Sequence, residues 1–297
     1  MDRNSVLAFL LIAIIILLMP EYYKMVYPDA QLSDSTETII NQNSTTQPDK
    51  TPPPSLEELE IDNDEEFISF DVQTNLYKAT VSNENGGAFT FYELNNYALN
   101  DSELVNLIDK SNRQNLGVSF RSIDGDLINL STGWKTTNQY DISVFSSSKT
   151  VSFYKTIENK RISKEITFYP DRYVVDIKTN LSEASDIISQ NVASISWPKG
   201  LPLTEPNRKD ELTYYSAVVY QGDESYYPKA KARGQESIEK MLYPTDWVGI
   251  RTKYFFSAFV PEVKASGAEV LAVEEGETKE YSVGLLFNTL SPFNTRL

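Results

Sequence analysis

Residues 161–178 read RISKEITFYPDRYVVDIK. The stretch contains two alternating runs, which Pro170 and Asp171 separate. In these runs every second position belongs to one face, formed first by Ile162, Lys164, Ile166 and Phe168 and then by Tyr173, Val175 and Ile177. A period of two is typical of a strand with one buried face, and a Pro-Asp pair favours a turn. The stretch therefore predicts an antiparallel hairpin.

A second hairpin is predicted upstream, in residues 77–94. Tyr77, Ala79 and Val81 alternate there, and residues 83–87, which read NENGG, separate them from a second strand-like run. Asn-Gly pairs favour the tight turns of hairpins. Further alternating segments are Ile68 with Phe70 and Val72, Val118 with Phe120, Val151 with Phe153, and residues 247–260. Roughly twelve or more short strands predict an all-β class, a large antiparallel sandwich of two sheets.

The composition excludes several classes of chemistry. The 297 residues include no cysteine and no histidine, so disulfides, thiolate metal sites, imidazole acid–base catalysis and Ser-His-Asp triads are all excluded. The net charge is −15, and residues 29–66 hold eleven acidic residues against one base, Lys50. The negative electrostatic field of these residues repels nucleic acid. We expect no enzyme activity, no cofactor, no metal and no nucleic-acid partner.

The N-terminus predicts a membrane anchor over residues 1–27. Residues 6–19 form an uninterrupted apolar run, with Arg3 before it and Tyr22, Tyr23 and Tyr27 after it. Interfacial tyrosines extend the usable span towards about 20 residues, and a leading positive charge keeps the N-terminus in the cytoplasm. A cleaved signal peptide is the alternative, but no small-x-small cleavage site follows the run.

Residues 28–66 have the composition of an acidic linker rich in Pro, Ser and Thr. Within it, residues 55–58 match a helix capping box. Residues 62–64 invite comparison with a calcium loop, but Phe67 stands where such a loop needs glycine. The linker is therefore expected to be a spacer, and residues 67–297 to form the β domain.

Residues 198–243 interrupt the alternation with four prolines and several tyrosines. Loop character, aromatic side chains that are expected to be exposed, and local basic charge favour the region from Trp197 to Trp247 as a partner-binding region. Its candidate residues are Trp197, Tyr214, Tyr215, Tyr226, Tyr227, Lys229, Lys231 and Arg233. The alternative is that these aromatic side chains only cover the sheet.

Three groups of residues, in order along the chain, carry a resemblance to a known family. They are MDRNS at 1–5; TNLYKATV at 74–81 with ELNNY at 93–97; and SWPKGL at 196–201 with WVGIRTKYF at 247–255. Together they resemble the N-terminal half of the YidC/Oxa/Alb family of membrane-protein insertases. The resemblance covers nearly the whole chain.

This resemblance implies a periplasmic β-supersandwich of the galactose-mutarotase type, anchored in the bacterial inner membrane. It implies the Sec translocon, its accessory subunits and nascent membrane proteins as partners, with binding rather than chemistry as the role. The five membrane helices that carry insertion in the family lack a counterpart in this sequence, since no second apolar segment of spanning length occurs. We therefore expect a fragment of a longer insertase, or else a stand-alone anchored domain.

An anchored carbohydrate-binding or sugar-processing envelope protein is the alternative function. Asp223 with Glu224, or Glu205 with Asp210, would then supply the acid and the base. Adjacent residues on a strand point to opposite faces, so neither pair has a supporting spacing rule. Mutarotase chemistry, which the fold suggests, depends on histidine in those enzymes and is excluded because this sequence has none. Kinship of fold does not carry activity.

Overall fold

The computed structural model describes residues 67–100, 103–231 and 236–297, and β-strands dominate them. The predicted anchor, the linker with its capping box and calcium-like residues, and Arg233 lie outside the described residues. Within the described part, no helix combines the length and apolarity that a membrane crossing needs.

The first ten strands are β1 (Ser69–Thr74), β2 (Tyr77–Ser82), β3 (Ala88–Asn100), β4 (Glu103–Asn106), β5 (Gly117–Ser122), β6 (Leu127–Asn129), β7 (Lys135–Thr136), β8 (Ile142–Val144), β9 (Lys149–Ile157) and β10 (Lys160–Phe168). The next ten are β11 (Asp176–Asn180), β12 (Ile188–Trp197), β13 (Ser216–Gln221), β14 (Glu224–Tyr226), β15 (Ser237–Met241), β16 (Thr245–Arg251), β17 (Phe256–Pro261), β18 (Gly267–Glu275), β19 (Thr278–Asn288) and β20 (Phe293–Arg296). The α-helix α1 spans Arg208–Tyr214, and 3₁₀ turns occupy Glu84–Gly86 and Ser182–Ile187.

These strands form three sheets. Five strands run in the order β4-β3-β2-β1-β8, nine in the order β14-β13-β16-β17-β20-β11-β10-β9-β7, and six in the order β15-β18-β19-β12-β5-β6. Neighbouring strands are antiparallel, apart from the parallel pair β1 and β8. The predicted all-β antiparallel class is confirmed. The described residues form three sheets, however, and not the two that were expected.

The hairpin predicted from residues 161–178 is present as β10 and β11, with Ile166 opposite Ile177. Its second strand begins later than expected, at Asp176. The backbone of Val175 instead exchanges two hydrogen bonds with Leu297, each of 2.9 Å. The segment around Tyr173 is therefore left at the edge of a cleft rather than inside the ladder.

The turn between β2 and β3 depends on glycine. Asn85, Gly86 and Gly87 have φ values of 53°, 69° and 115°, a region that suits glycine and tolerates asparagine. A Cβ on Gly87 would lie 2.4 Å from Ile166 Cδ1, and one on Gly86 would lie 2.8 Å from Trp134 Cδ2. The turn thus packs directly onto β10, which joins the five-stranded sheet to the nine-stranded one.

The three sheets share one hydrophobic core. Phe89 of β3 meets Phe168 of β10 edge to face, with ring centroids 6.3 Å apart. Phe287 of β19 stacks on Phe293 of β20 at 4.2 Å. These aromatic pairs connect each outer sheet to the nine-stranded sheet, and such pairs contribute about 1 kcal/mol beyond their buried area.

Lys164 lies in this core, on the inward face of β10, and is fully buried. Its Nζ donates to the backbone oxygens of Asn85 and Leu116, both at 2.6 Å, and lies 5.6 Å from the Trp134 ring centroid. Asn85 and Leu116 both have positive φ. The lysine thus donates hydrogen bonds to two carbonyls that point inward because the backbone is irregular there. A buried carbonyl without a hydrogen bond would lower the stability of the fold.

Burial lowers the pKa of Lys164 to about 7 from an ordinary value of 10.5. Between these values the unfolded chain holds a proton that the folded chain has released, so stability rises with pH. We predict that the free energy of unfolding of the native chain, relative to that of Lys164→Met, increases by about 3 kcal/mol from pH 6 to pH 9.

Urea unfolding at the two pH values measures this difference, with Lys178→Met as the control because Lys178 is an exposed lysine on the neighbouring strand. The control should leave the pH dependence of the native chain unchanged. A pH-independent difference between native protein and Lys164→Met would contradict the assignment of a buried, titrating lysine.

Candidate functional site

An apolar cleft of about 340 Å³ opens between the start of β17, the segment before β11 and the middle of β3. Half of its sixteen lining residues are aromatic, namely Phe89, Tyr92, Tyr97, Tyr173, Trp197, Tyr254, Phe255 and Phe256. Leu94, Leu107, Val174, Val175, Leu201, Ser257, Ala258 and Leu297 supply the remainder. Clefts of this size and character are typical binding sites in proteins.

The floor of the cleft is a rigid aromatic group. Tyr92 stacks on Tyr77 with centroids 4.4 Å apart and meets Phe89 edge to face at 5.5 Å. The Tyr92 hydroxyl donates to the Tyr173 backbone oxygen at 2.9 Å. Burial raises the pKa of Tyr92 well above its ordinary value, so the hydroxyl remains a neutral donor.

The rim of the cleft is aromatic and partly exposed. Tyr97 meets Tyr173 at 6.2 Å and Phe255 at 5.9 Å, both in edge-to-face geometry. Tyr254 and Phe256 are 60% and 54% exposed. Large apolar side chains held at a rim in this way are available to a partner.

Trp197 forms part of the inner wall. It is buried, and its Nε1 donates to the Gly200 backbone oxygen at 2.7 Å. Asn112 donates to the same oxygen at 2.8 Å. Gly200 has a φ of 71°, and a Cβ on it would lie 1.9 Å from the Tyr215 hydroxyl. The turn that follows β12 is therefore fixed from both sides.

A shorter aromatic row extends from the cleft onto β16 and β13. Trp247 stacks on Tyr220 at 5.5 Å and meets Phe256 edge to face at 5.4 Å. Gly249 leaves space for this packing, since a Cβ there would lie 2.8 Å from Phe256 Cζ. Phe256 thus belongs both to the row and to the cleft rim.

The cleft suits binding rather than chemistry. No Asp, Glu, Lys or Arg side chain lines it. Among residues 67–100, 103–231 and 236–297, no group of three or more metal-ligating side chains converges. An uncharged aromatic cleft stabilises apolar groups through the area that they bury together.

The predicted partner-binding residues divide into two groups. Trp197 and Tyr215 are buried, so the expectation that they are surface aromatic residues is wrong. Each belongs to the core because its polar atom bonds a backbone oxygen, Trp197 to Gly200 and Tyr215 to Lys199. Of the seven predicted residues that the structure describes, Trp197 alone lines the cleft.

The other described members of that set lie on the surface: Tyr214, Tyr226, Tyr227, Lys229 and Lys231. The Tyr226 hydroxyl donates to Glu239 at 2.7 Å, and Arg251 lies 5.6 Å from the Tyr227 ring centroid. The interval 198–243 is not one long loop, since it contains α1, β13, β14 and β15.

The carboxylates weighed for sugar chemistry lie outside the cleft. Asp210 pairs with Lys253 at 2.7 Å. Asp223 and Glu224 are exposed in the hairpin between β13 and β14, and the backbone N–H of Glu205 donates to Glu211. None of these four residues lines the cleft.

Sequence reasoning missed most of the cleft. Tyr97, Tyr173 and Phe255 come from three distant parts of the chain, so no local pattern indicates that their rings meet. The only local signal was the cluster of aromatic residues at 254–256, which begins at the end of the stretch WVGIRTKYF and continues with Phe256.

A family model described as the YidC periplasmic domain matches residues 69–292. The chain belongs to the YidC periplasmic domain family. The match includes β1 to β19 and every lining residue of the cleft from Phe89 to Ala258, leaving out Leu297.

Curated relatives agree with this family. The chain is 27% identical to "Membrane protein insertase YidC" of Syntrophus aciditrophicus, over 88% of this chain and 51% of that protein. It is 26% identical to the protein of the same name in Chlorobaculum parvum, over 90% of this chain and 47% of that protein. The chain thus spans about half the length of the curated YidC relatives that it matches.

One solved structure is similar at a lower level. It is the crystal structure of an alpha-galactosidase from Lactobacillus brevis, with 10% identity and a TM-score of 0.37, over 77% of this chain and 39% of that one. A likeness this low carries no argument about the function of the YidC periplasmic domain.

The wall of the cleft can be tested at Gly200. We predict that Gly200→Ala lowers the free energy of unfolding by about 3 kcal/mol, because it adds a Cβ at positive φ against the Tyr215 hydroxyl. Denaturant unfolding measures the loss, and Gly276→Ala is the control, since Gly276 also has positive φ but open space around its Cβ. Equal losses in the two variants would show that the contact with Tyr215 does not matter.

Proposed function

We propose that this chain is the periplasmic binding part of a YidC-type membrane protein insertase. It assists the insertion, folding and assembly of integral membrane proteins by binding them, and it catalyses no reaction. The observation that carries the proposal is the uncharged aromatic cleft, found in a domain that belongs to the YidC periplasmic family.

The chemistry of the cleft supports this role. Client membrane proteins present long apolar segments, which lose their exposure to water when they bind an apolar surface. Exposed aromatic residues at the rim, such as Tyr254 and Phe256, supply large contact areas with few rotatable bonds. The absence of charged side chains from the lining favours apolar segments over charged ones.

The proposed arrangement follows the family. Residues 1–27 anchor the chain in the inner membrane with the N-terminus in the cytoplasm, residues 28–66 act as the spacer, and residues 67–297 form the periplasmic domain. The proposed fold of that domain is a β-supersandwich of the galactose-mutarotase type. The three antiparallel sheets around a shared core support that proposal.

The Sec translocon and its accessory subunits are proposed as partners in addition to the client proteins. The surface group of Tyr214, Tyr226, Tyr227, Lys229 and Lys231, together with Arg233, is the proposed contact. Exposed tyrosines beside bases are enriched in protein interfaces.

Site-specific photo-crosslinking tests the client-binding role. With a benzophenone amino acid in place of Phe256, we predict crosslinks to a newly made membrane protein in bacterial cells that express the full chain. The same amino acid in place of Tyr140 is the matched control, because Tyr140 is 79% exposed and lies outside the cleft. The signal at residue 256 should exceed the control at least about tenfold, since a contact worth 1.4 kcal/mol changes occupancy by that factor. Equal crosslinking at both positions would contradict a binding role for the cleft.

A further inference from the structure

Lys164 lies where the three sheets meet. It belongs to β10 of the nine-stranded sheet, and its Nζ donates to the backbone oxygens of Asn85 and Leu116. Asn85 lies in the turn between β2 and β3 of the five-stranded sheet, and Leu116 directly precedes β5 of the six-stranded sheet. A single buried nitrogen atom therefore bonds segments that belong to all three sheets.

These segments are also bonded to each other. Asn85 Nδ2 donates to the Asn115 backbone oxygen at 3.2 Å, and the Asn85 backbone N–H donates to the Ser131 oxygen at 2.8 Å. The backbone N–H of Phe89 donates to Asn115 Oδ1, and Asn115 Nδ2 donates to the Phe89 oxygen, both at 2.8 Å. We call residues 83–89, 112–117 and 130–134 the junction.

The Lys164 site suits an uncharged amine. Within the described residues its hydrogen-bond partners are two carbonyl oxygens, which match the two N–H groups of a neutral amine. An ammonium group carries a third N–H and a full charge, and the structure places only the Trp134 ring beside them, with its centroid 5.6 Å from Nζ. Because Lys164 is fully buried, a charge in this site lowers the stability of the closed junction.

The charged side chains nearest in the fold bond to other groups. Glu84, in the turn itself, accepts from Gln114 at 3.2 Å. Lys155 of β9 lies on the same face of the sheet as Lys164, and it donates to the Thr132 oxygen. Neither side chain supplies a counter-charge to Lys164.

The remaining charged groups on the packed segments lie outside the core. Glu165 of β10 and Lys178 of β11 form an ion pair at 3.7 Å on the outer face of the sheet. The exposed ones are Asp109, Lys110, Arg113, Arg121 and Lys135. Burial alone, with no contribution from a neighbouring charge, lowers the pKa of Lys164 to about 7.

We propose that the junction opens as one local unit of the fold, and that Nζ of Lys164 takes up a proton from water when the opening exposes it. The rest of the domain stays folded during this opening. Closing releases the proton and restores both bonds to the carbonyl oxygens. This inference does not rest on the client-binding function proposed above.

The direction of the pH dependence follows from the two states. Lys164 has a pKa of about 7 in the closed junction and regains its ordinary value of 10.5 when water reaches it. Between these values the open junction binds more protons than the closed one, so opening becomes less favourable as the pH rises. The opening equilibrium falls about tenfold per pH unit in this window.

The opening of the junction affects the floor of the cleft. Phe89 lines the cleft, and Asn115 holds its backbone through the two hydrogen bonds described above. These bonds are lost when the junction opens. The floor is therefore held more firmly at pH 9 than at pH 7.

Native-state hydrogen–deuterium exchange of the full 297-residue chain in detergent micelles, at pH 7.5 and pH 8.5, tests the proposal. The observed exchange rate is the intrinsic rate, which rises about tenfold per pH unit, multiplied by the opening equilibrium. At the junction the two changes cancel. The amides of Asn85, Gly87 and Phe89 should therefore exchange at nearly the same rate at both pH values.

The hairpin of β13 and β14, which lies outside the junction, is the internal control. Its amides should exchange about tenfold faster at the higher pH. Lys164→Met and Lys164→Gln both remove the titrating group, and Gln retains two N–H donors. In both variants the junction amides should show the same tenfold rise, whereas Lys178→Met should behave as the native chain does.

The native chain alone decides the proposal, so the test does not require that the variants fold. A tenfold rise at the junction amides of the native chain would show that opening takes up no proton. Junction amides that exchange no faster than those of the β18–β19 ladder would show that the junction opens only when the whole domain unfolds. Either result would overturn the proposal.

Discussion

The nine-stranded sheet depends on the four residues of β20. This strand connects β17, and through it β16, β13 and β14, to the hairpin of β10 and β11. Its pairing with β11 joins residues 120 positions apart in sequence, as in the Arg296–Asp176 ion pair at 2.8 Å. Phe293 also stacks on Phe287 of the six-stranded sheet. A short strand therefore holds two sheets together and defines the line along which the cleft opens.

Packing against β10, two strands away from β20 in the same sheet, depends on a comparable constraint. The glycine turn between β2 and β3 lies against Ile166 of β10 and Phe153 of β9. Lys164, also on β10, donates hydrogen bonds to the inward-facing carbonyls of Asn85 and Leu116. These contacts keep the five-stranded sheet in a fixed position on β10. The aromatic floor of the cleft, from Phe89 to Tyr92, is part of that sheet. A rigid floor lowers the entropy cost of binding an apolar segment.

The hairpins could be predicted from the sequence because their signals are local. Alternation and turn residues at 77–94 and 161–178 correctly indicate β2 with β3 and β10 with β11. The pairing of β11 with β20 has no local signal, and neither does the parallel pairing of β1 with β8. The cleft was missed for the same reason, since long-range pairing brings Tyr97, Tyr173 and Phe256 together. Trp197 and Tyr215 were misjudged because an aromatic residue in a stretch without alternation gives no indication of which side it faces.

The central claim is that the cleft binds apolar polypeptide segments. Hydrogen–deuterium exchange of the backbone amides, with and without an apolar peptide, tests it most directly. The account predicts that exchange at Ala258, Phe256 and Tyr173 slows by at least about tenfold on binding, while exchange in the turn at residues 83–87 stays unchanged. Unchanged exchange at the cleft amides with protection elsewhere would contradict the account.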